Sequence, residues 1–177
     1  MKTKISLLLI LMSLATLAAA VDKYVSTDFG FAGSYPAEVV RSQTTSDAAS
    51  FTASAPASAW VAQVKVAKNV AMPQEITKQF MEAKLAEILG GGGMTQTGTS
   101  SYTTFGGHPA LLATATFLVN NQYTNFVSYS AVVDMKLIFV KSRQLNGQNR
   151  VYWVAGWAIQ GKDRSGIQPF LDSFELR

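Results

Sequence analysis

The stretch YTNFVSYSAVVDMKLIFVKS, residues 123–142, alternates between two sets of side chains and decides the fold class. One set is apolar throughout and consists of Val127, Tyr129, Ala131, Val133, Met135, Leu137 and Phe139. The other set is mixed and consists of Ser128, Ser130, Val132, Asp134, Lys136 and Ile138. Because successive side chains of a strand point to opposite faces of a sheet, the pattern predicts one long strand, straight or bent by a bulge. Its first face belongs to the core, and its second face is open in part.

Other segments carry strand or helix patterns on both sides of this strand. Strand patterns occupy residues 29–35, 50–56, 59–68, 94–105, 110–119 and 150–159, and helix patterns occupy residues 73–89 and 167–174. Asn146-Gly147 is a strong signal for a two-residue hairpin turn. We therefore predict an α+β fold in which an antiparallel twisted sheet of about six strands is flanked by helices, as an α/β/α sandwich. No repeat or linker divides the sequence, so we expect residues 21–177 to form a single domain.

The segment PQEITKQFMEAKLAEIL, residues 73–89, has the apolar spacing of an amphipathic helix. Pro73 suits the first helical position, and Glu75 then lies in the first turn, near the positive end of the helix dipole. Four glycines, Gly90–Gly93, follow this helix. A phosphate loop precedes a helix, because the N–H groups that bind the anion are at the helix N-terminus. We therefore interpret Gly90 as a left-handed C-cap and the following glycines as a connector.

Residues 1–20 have the three parts of a secretory signal peptide. Lys2 and Lys4 supply the positive charge, Ile5–Leu17 is an apolar run broken only by Ser and Thr, and the small residues end at Ala20. The apolar run is shorter than the roughly 20 residues that span a bilayer. We therefore predict cleavage after Ala20 and a periplasmic or secreted protein, with no membrane span in the mature chain.

The composition is that of a globular chain without a nucleic-acid partner. Of 177 residues, 48% are hydrophobic and 15% are charged, which suits a chain with a buried core. The formal net charge is +4, and without Lys2 and Lys4 there remain 13 basic and 11 acidic side chains, a net charge of +2. This charge is too low to indicate nucleic-acid binding. The sequence has no cysteine and therefore no disulfide, although exported proteins are free to form them.

The sequence lacks the common catalytic and metal-binding motifs. His108 is its one histidine and lies between turn-forming residues in GGHPA. No G-x-S-x-G elbow, H-E-x-x-H helix or EF-hand loop is present. We interpret His108 as a turn residue with its ring at the surface. We expect no catalytic residue, no cofactor and no metal, and therefore a protein that is not an enzyme.

The segment RVYWVAGWAI, residues 150–159, places aromatic side chains on both faces of a strand. Trp153 and Trp157 share a face with aliphatic residues, and we interpret them as core rather than as a sugar-stacking platform. Tyr152 and Gly156 lie on the other face. Because glycine has no side chain, Gly156 would let a helix or a ligand approach that face closely.

The order of these parts resembles a known family. The sequence opens with FGFAGSYPAE, continues through GGHPALLATATF, and ends with FLDSFEL. Over residues 24–177 it resembles the PsbP-like α/β/α sandwich family, which includes exported bacterial proteins of the PsbP and DcrB type and a Ran-binding nuclear import factor. The resemblance implies this fold and an accessory or partner-binding role without catalysis, and it carries over no site residues.

The mixed face of the long strand is the candidate site. An apolar groove with polar groups at its edge has the usual make-up of a binding site, and we expect a protein partner in the cell envelope. We place Asp134 and Tyr152 at the border of the contact surface, with Ser128, Ser130 and Lys136 beside them. Three alternatives stay open: loops or the glycine connector fill this groove, or the same face serves a small periplasmic hydrolase, or it serves a lipid- or sugar-binding enzyme. The oligomeric state is also open.

Overall fold

The computed structural model describes residues 23–120, 128–142 and 148–177. The expected signal peptide, the Asn146-Gly147 turn and Val127 lie outside these ranges. The described strands are β1 (Lys23–Ser26), β2 (Phe31–Ser34), β3 (Val40–Thr45), β4 (Ala48–Ser54), β5 (Val61–Lys68), β6 (Thr95–Phe105), β7 (His108–Asn120), β8 (Ser128–Val140), β9 (Arg150–Ile159) and β10 (Glu175–Leu176). The described helices are α1 (Lys78–Gly91) and α2 (Ile167–Ser173), and Pro56–Ser58 forms a short 3₁₀ turn.

The fold is α+β, and the described strands pair antiparallel in two sheets. The large sheet has the order β3-β4-β5-β9-β8-β7-β6, and the small sheet has the order β1-β2-β10. The predicted number of about six strands is therefore too low, since the large sheet alone has seven among the described residues. The extra edge strand β3 reads VRSQTT and lacks the apolar alternation that identifies a half-buried strand. The expected strand at residues 29–35 forms β2 and belongs to the small sheet.

Helix α1 covers one face of the large sheet. Its buried residues Met81, Leu85 and Leu89 belong to one apolar cluster with the inward face of β8 and with residues of β7 and β9. The apolar face predicted for the long strand is therefore core from Val133 to Phe139, under this helix. Tyr129, near the start of the same strand, is 39% exposed.

The two tryptophans of β9 lie on this α1 side of the sheet. Trp153 is buried, and its Nε1 lies 3.3 Å from the Met135 sulfur. Trp157 is half-buried and meets the ring of Phe117 edge to face, with the ring centroids 5.6 Å apart. Both residues are part of the packing, as predicted.

The small sheet and α2 cover much of the opposite face with aromatic residues. The Phe31 ring centroid lies 4.9 Å from that of Phe51 on β4, and Phe31 also stacks on Phe174 at 5.6 Å. Helix α2 lies close to β9 because Gly156 has no side chain, and a Cβ at this position would overlap Ile167. This contact confirms that Gly156 admits a helix. These elements, and not the glycine connector, fill this part of the mixed face.

Helix α1 begins at Lys78, five residues after the predicted start. Thr77 adopts an extended conformation and is the N-cap, because its Oγ1 accepts a hydrogen bond from the Phe80 N–H at 3.2 Å. The carbonyls of Pro73 and Gln74 instead accept hydrogen bonds from the Lys141 ammonium, at 2.9 and 2.6 Å. Pro73 is therefore not the first helical residue, and the preceding segment lies against the chain that follows β8.

The end of α1 also differs from the prediction. Gly90 and Gly91 are helical, and Gly92 is the C-cap. The left-handed residue is Gly93, with a φ of +61°, and the Met94 N–H donates to the Leu89 carbonyl at 2.8 Å. The assignment of Gly90 as the left-handed cap is wrong because the helix continues through two glycines before it turns.

Both edge strands of the large sheet have an irregular register. The pairing of β3 with β4 shifts between Gln43 and Thr45, and the pairing of β6 with β7 shifts between Thr97 and Ser101. Gly98 lies within the second shift and has a φ of +81°. These are bulges, which interrupt a ladder and increase the local twist of the strand.

Among the residues that the structure describes, no helix has both the length and the apolar character needed to cross a bilayer.

Candidate partner-binding site

The mixed face of the large sheet is open along β7. Helix α2 contacts β9, β8 and β5, whereas four side chains of β7 form a row beside it. This row, which we call the open strip, consists of Leu112, Thr114, Thr116 and Leu118, paired in register with residues of the mixed face of β8. Leu118 is 67% exposed and Leu112 is 37% exposed. The strip is therefore an apolar and hydroxylated surface, and residues of β6 that pair with it, Thr97 and Ser101, are exposed beside it.

Asp134 lies at the edge of the open strip, and both of its carboxylate oxygens have partners. Thr114 Oγ1 donates to Asp134 Oδ1 at 3.0 Å, since the two residues pair in register on neighbouring strands. Arg164, in the turn before α2, forms an ion pair with Asp134 Oδ2. Arg164 is 30 positions from Asp134 in the chain, and nothing in its neighbouring sequence marks it as the partner.

A cleft of about 240 Å³ separates the Asp134 side chain from α2. Gln168 and Asp172 of α2 lie on its other side, joined by a hydrogen bond of 2.9 Å from Gln168 Nε2 to Asp172 Oδ1. Both carboxylates of the cleft thus have hydrogen-bond donors. The cleft offers polar contacts at the border of the exposed leucines, and its acids are already paired.

Lys136 is not a surface residue, which corrects its assignment to the partner-binding surface. It is 8% exposed, its ammonium donates to the Leu171 carbonyl at 3.2 Å, and it lies 4.6 Å from the Phe105 ring centroid. Burial lowers the pKa of Lys136, and the nearby Asp172 carboxylate opposes this effect. Because the carbonyls at the end of a helix favour a cation, Lys136 stabilises the last turn of α2.

Tyr152 is also wrong as a border residue of a contact surface, because it is 1% exposed. Its hydroxyl donates to the Phe29 carbonyl at 2.7 Å, in the turn that leads into β2. Burial raises the pKa of Tyr152, and the neighbouring Arg150 opposes this effect. The residue joins the small sheet to the large one and has no free surface for a partner.

The two candidate serines lie at the start of β8. Ser130 is half-buried and pairs in register with Leu118, so it borders the far end of the open strip. The side chain of Ser128 lies outside the part of the chain that the structure describes. The structure therefore brings Asp134 and Ser130 to the open strip and places Lys136 and Tyr152 in the interior.

His108 lies at a different concave surface, a cleft of about 600 Å³ that it shares with Glu75, Lys141 and Ser142. Its ring is half-buried rather than fully at the surface. The cleft brings a histidine, a carboxylate and a hydroxyl to one surface, which is a juxtaposition that the sequence did not indicate.

The described residues contain no group of three or more histidine, cysteine or acidic side chains with the geometry to hold a metal ion. The acids nearest the open strip are bound instead by Arg164, Thr114 and Gln168. Residues 23–120, 128–142 and 148–177 thus offer no metal centre around which to build a site.

Comparisons with known proteins found likenesses among solved structures alone. No protein-family model matches the chain, and no curated protein matches it. A crystal structure from Bacteroides thetaiotaomicron VPI-5482, determined at 1.50 Å resolution, is similar to the chain with a TM-score of 0.46 and 12% sequence identity. The alignment covers 88% of this chain and 48% of that one, so this chain spans about half the length of the other.

Proposed function

We propose that this protein is a non-enzymatic accessory protein of the cell envelope that binds a protein partner through the open strip. The observation that carries the proposal is the exposure of Leu118 and Leu112 on a sheet face that the small sheet and α2 cover over β4, β5 and β9. The Asp134–Arg164 ion pair borders these leucines. An apolar centre with a polar rim is the usual anatomy of a protein interface.

Two features of the sequence support the envelope location and the accessory role. Residues 1–20 have the pattern of a cleaved signal peptide, which leads to the periplasm or the exterior. The resemblance of residues 24–177 to PsbP-like proteins supports a role in binding a partner rather than in catalysis. We therefore propose that this protein is PsbP-like.

Site-specific photo-crosslinking in the native cell tests the proposal. A photoreactive phenylalanine analogue replaces Leu118 in one variant and Val40 in the other, because Val40 is a matched aliphatic residue with 68% exposure at the opposite edge of the sheet. We expect a discrete protein adduct from position 118 and none from position 40. Adducts from both positions, or from neither, would overturn the proposal.

Charge reversal at Asp134 is a second probe of the same surface. Asp134→Lys places a cation beside Arg164, so we expect a weaker adduct at position 118. The free energy of unfolding should fall by less than about 1 kcal/mol, because partly exposed ion pairs contribute little to stability. A folded variant with an unchanged adduct would place the docking surface elsewhere.

The His108 cleft supports a second candidate, a small hydrolase, because His108, Glu75 and Ser142 share it. Such an enzyme would hydrolyse a p-nitrophenyl ester faster than the solvent does, and His108→Ala would remove this activity while leaving the melting temperature unchanged. We expect wild type and His108→Ala to show the same background rate. A loss of rate in a folded His108→Ala variant would favour the hydrolase over the accessory protein.

A further inference from the structure

A groove of about 480 Å³ lies on the other face of the large sheet, between the end of α1 and strands β4, β5 and β9. Ile88 and Met94 form its helix side, and Val151 and Trp153 form part of its floor. The remaining lining includes small residues, which leave the space unfilled: Ala48, Ser50, Ala67, Gly91 and Gly92. Its volume is in the range of small-molecule sites, about 300–1,000 Å³, and such sites are mostly apolar.

Lys65 is the cation of this groove. The Lys65 ammonium lies 4.5 Å from the centroid of the Trp153 ring. This ammonium makes no ion pair or hydrogen bond with another residue that the structure describes. Glu87, the one acid of the lining, is paired with Lys84 at 2.6 Å. The Lys65 side chain is exposed at the mouth of the groove, and its partial burial beside Trp153 lowers its pKa.

The end of α1 determines where in the groove the charged part of a ligand is favoured. Its last carbonyls carry the negative end of the helix dipole, and backbone N–H groups already satisfy two of them: Met94 donates to Leu89 and Gly92 donates to Ile88, at 2.8 and 3.1 Å. An anionic group is therefore favoured at the Lys65 side. The helix side is suited to an alkyl chain.

We propose that this groove binds a free fatty acid of medium chain length, with the carboxylate at the Lys65 ammonium and the alkyl chain between Ile88 and Val151. A single ammonium matches a monoanion, whereas a phosphate group is usually held by several donors. The Ser50 hydroxyl also lines the groove, but it already accepts a hydrogen bond from Gln63 at 3.1 Å. We therefore assign the carboxylate to Lys65. This site is on the opposite face from the open strip, so the two proposals are tested separately.

Calorimetric titration of the purified protein with three probes of equal chain length tests the charge preference. The probes are decanoate, decanol and decyltrimethylammonium, each below its aggregation concentration. We expect decanoate to bind about tenfold more tightly than decanol, as one charge-assisted hydrogen bond predicts, and the ammonium probe to bind most weakly. Equal affinity for the acid and the alcohol, or no binding of decanoate, would overturn the proposal.

Two pairs of variants test the location. Lys65→Met should remove the preference for decanoate over decanol, whereas Lys78→Met should keep it, because Lys78 also lies over a ring, that of Tyr102, but outside the groove. Gly91→Leu should abolish binding of both probes by filling the groove, whereas Gly90→Leu should not. A Cβ at Gly90 or Gly91 meets no atom within 4 Å. Of these two glycines, Gly91 lines the groove and Gly90 does not.

The melting temperatures of the four variants make the result decisive. Each should remain within a few degrees of the wild type, so that a lost signal reports on the groove and not on unfolding. Retention of decanoate binding by Gly91→Leu, or of the acid preference by Lys65→Met, would place the ligand elsewhere and overturn the proposal.

Discussion

Tyr35 is 1% exposed and lies among the rings of Tyr24 and Phe170, and its hydroxyl has no hydrogen-bond partner in the part of the chain that the structure describes. A buried hydroxyl without a partner costs about 1–3 kcal/mol. We therefore expect Tyr35→Phe to raise the free energy of unfolding by about 1 kcal/mol in a urea titration. The exposed Tyr129 provides the control, since Tyr129→Phe should change it little. A less stable Tyr35→Phe protein would contradict this account.

The same residue predicts a response to alkali. Burial raises the pKa of Tyr35 above its ordinary value of 10.0, with a smaller contribution from Tyr24. The unfolded chain therefore loses this proton first as the pH rises, and the associated stability is present below pH 10 and is lost above it. We expect the wild type to lose more stability than Tyr35→Phe between about pH 10 and pH 12. Parallel losses in the two proteins would assign the effect to other groups.

The hydroxyl of Tyr152 has the opposite role, because it donates to the Phe29 carbonyl. Tyr152→Phe leaves this buried carbonyl without that donor, and we expect the free energy of unfolding to fall by about 1–2 kcal/mol. Chemical denaturation measures the change. A Tyr152 variant as stable as wild type would mean that the small sheet is held without this bond.

Asp134 and Tyr152 show how far a single position can be predicted from the sequence. Both are polar side chains on a mixed strand face, so alternation predicts the same surroundings for the two. The Phe29 carbonyl that Tyr152 binds is 123 positions away in the chain, and Arg164, the ion-pair partner of Asp134, is 30 positions away. The alternating pattern of a strand correctly predicts which face of the sheet a residue occupies. Whether that face is buried depends on segments that are distant in the sequence.

At the scale of the helix, two glycines near the end of α1 should respond in opposite directions to the same substitution. Gly90 is helical, so Gly90→Ala should raise the free energy of unfolding by roughly 0.5–1 kcal/mol. Gly93 has a φ of +61°, and Gly93→Ala should lower it by about 1 kcal/mol, because side chains with a Cβ are strained there. Neither added Cβ meets an atom within 4 Å, so a denaturant titration measures the backbone alone. Changes of the same sign would contradict the position of the cap.

The start of α1 shows which element boundaries the sequence determines. Its apolar spacing predicted the helix, and Met81, Leu85 and Leu89 form the buried side of the observed one. The first residue was wrong because Pro73 and Thr77 are both acceptable starts by local chemistry. Lys141, from a distant strand end, binds the carbonyls of Pro73 and Gln74. A tertiary contact thus selects between two local signals.

At the scale of the whole molecule, export is the property that the first twenty residues predict. Because the small residues end at Ala20, we expect the native protein to begin at Val21 and to be recovered in the periplasmic or culture fraction. Intact-mass measurement of the protein from its native host checks both points. Retention of Met1 would contradict the prediction.

The sequence predicts an element of the fold when its pattern of apolar residues is long. It does not predict an element whose pattern is short. The strand β8, the two helices and the antiparallel large sheet follow from alternation and apolar spacing. The small sheet does not follow from these patterns, because β1 and β10 have four and two residues. Strands of this length are too short to show an alternating pattern. The candidate site depends on that missing layer, since it is the small sheet and α2 that decide which part of the mixed face stays open.

The two bulges of the large sheet have a consequence for self-association. An unpaired edge strand with a regular register is a template on which a second copy can add a strand, and repeated addition produces a fibre. Here the register shifts at Gln43–Thr45 on one edge and at Thr97–Ser101 on the other. An incoming strand would meet a break in the row of N–H and C=O groups on each edge of the sheet that the structure describes, and we therefore expect the sheet to resist further growth.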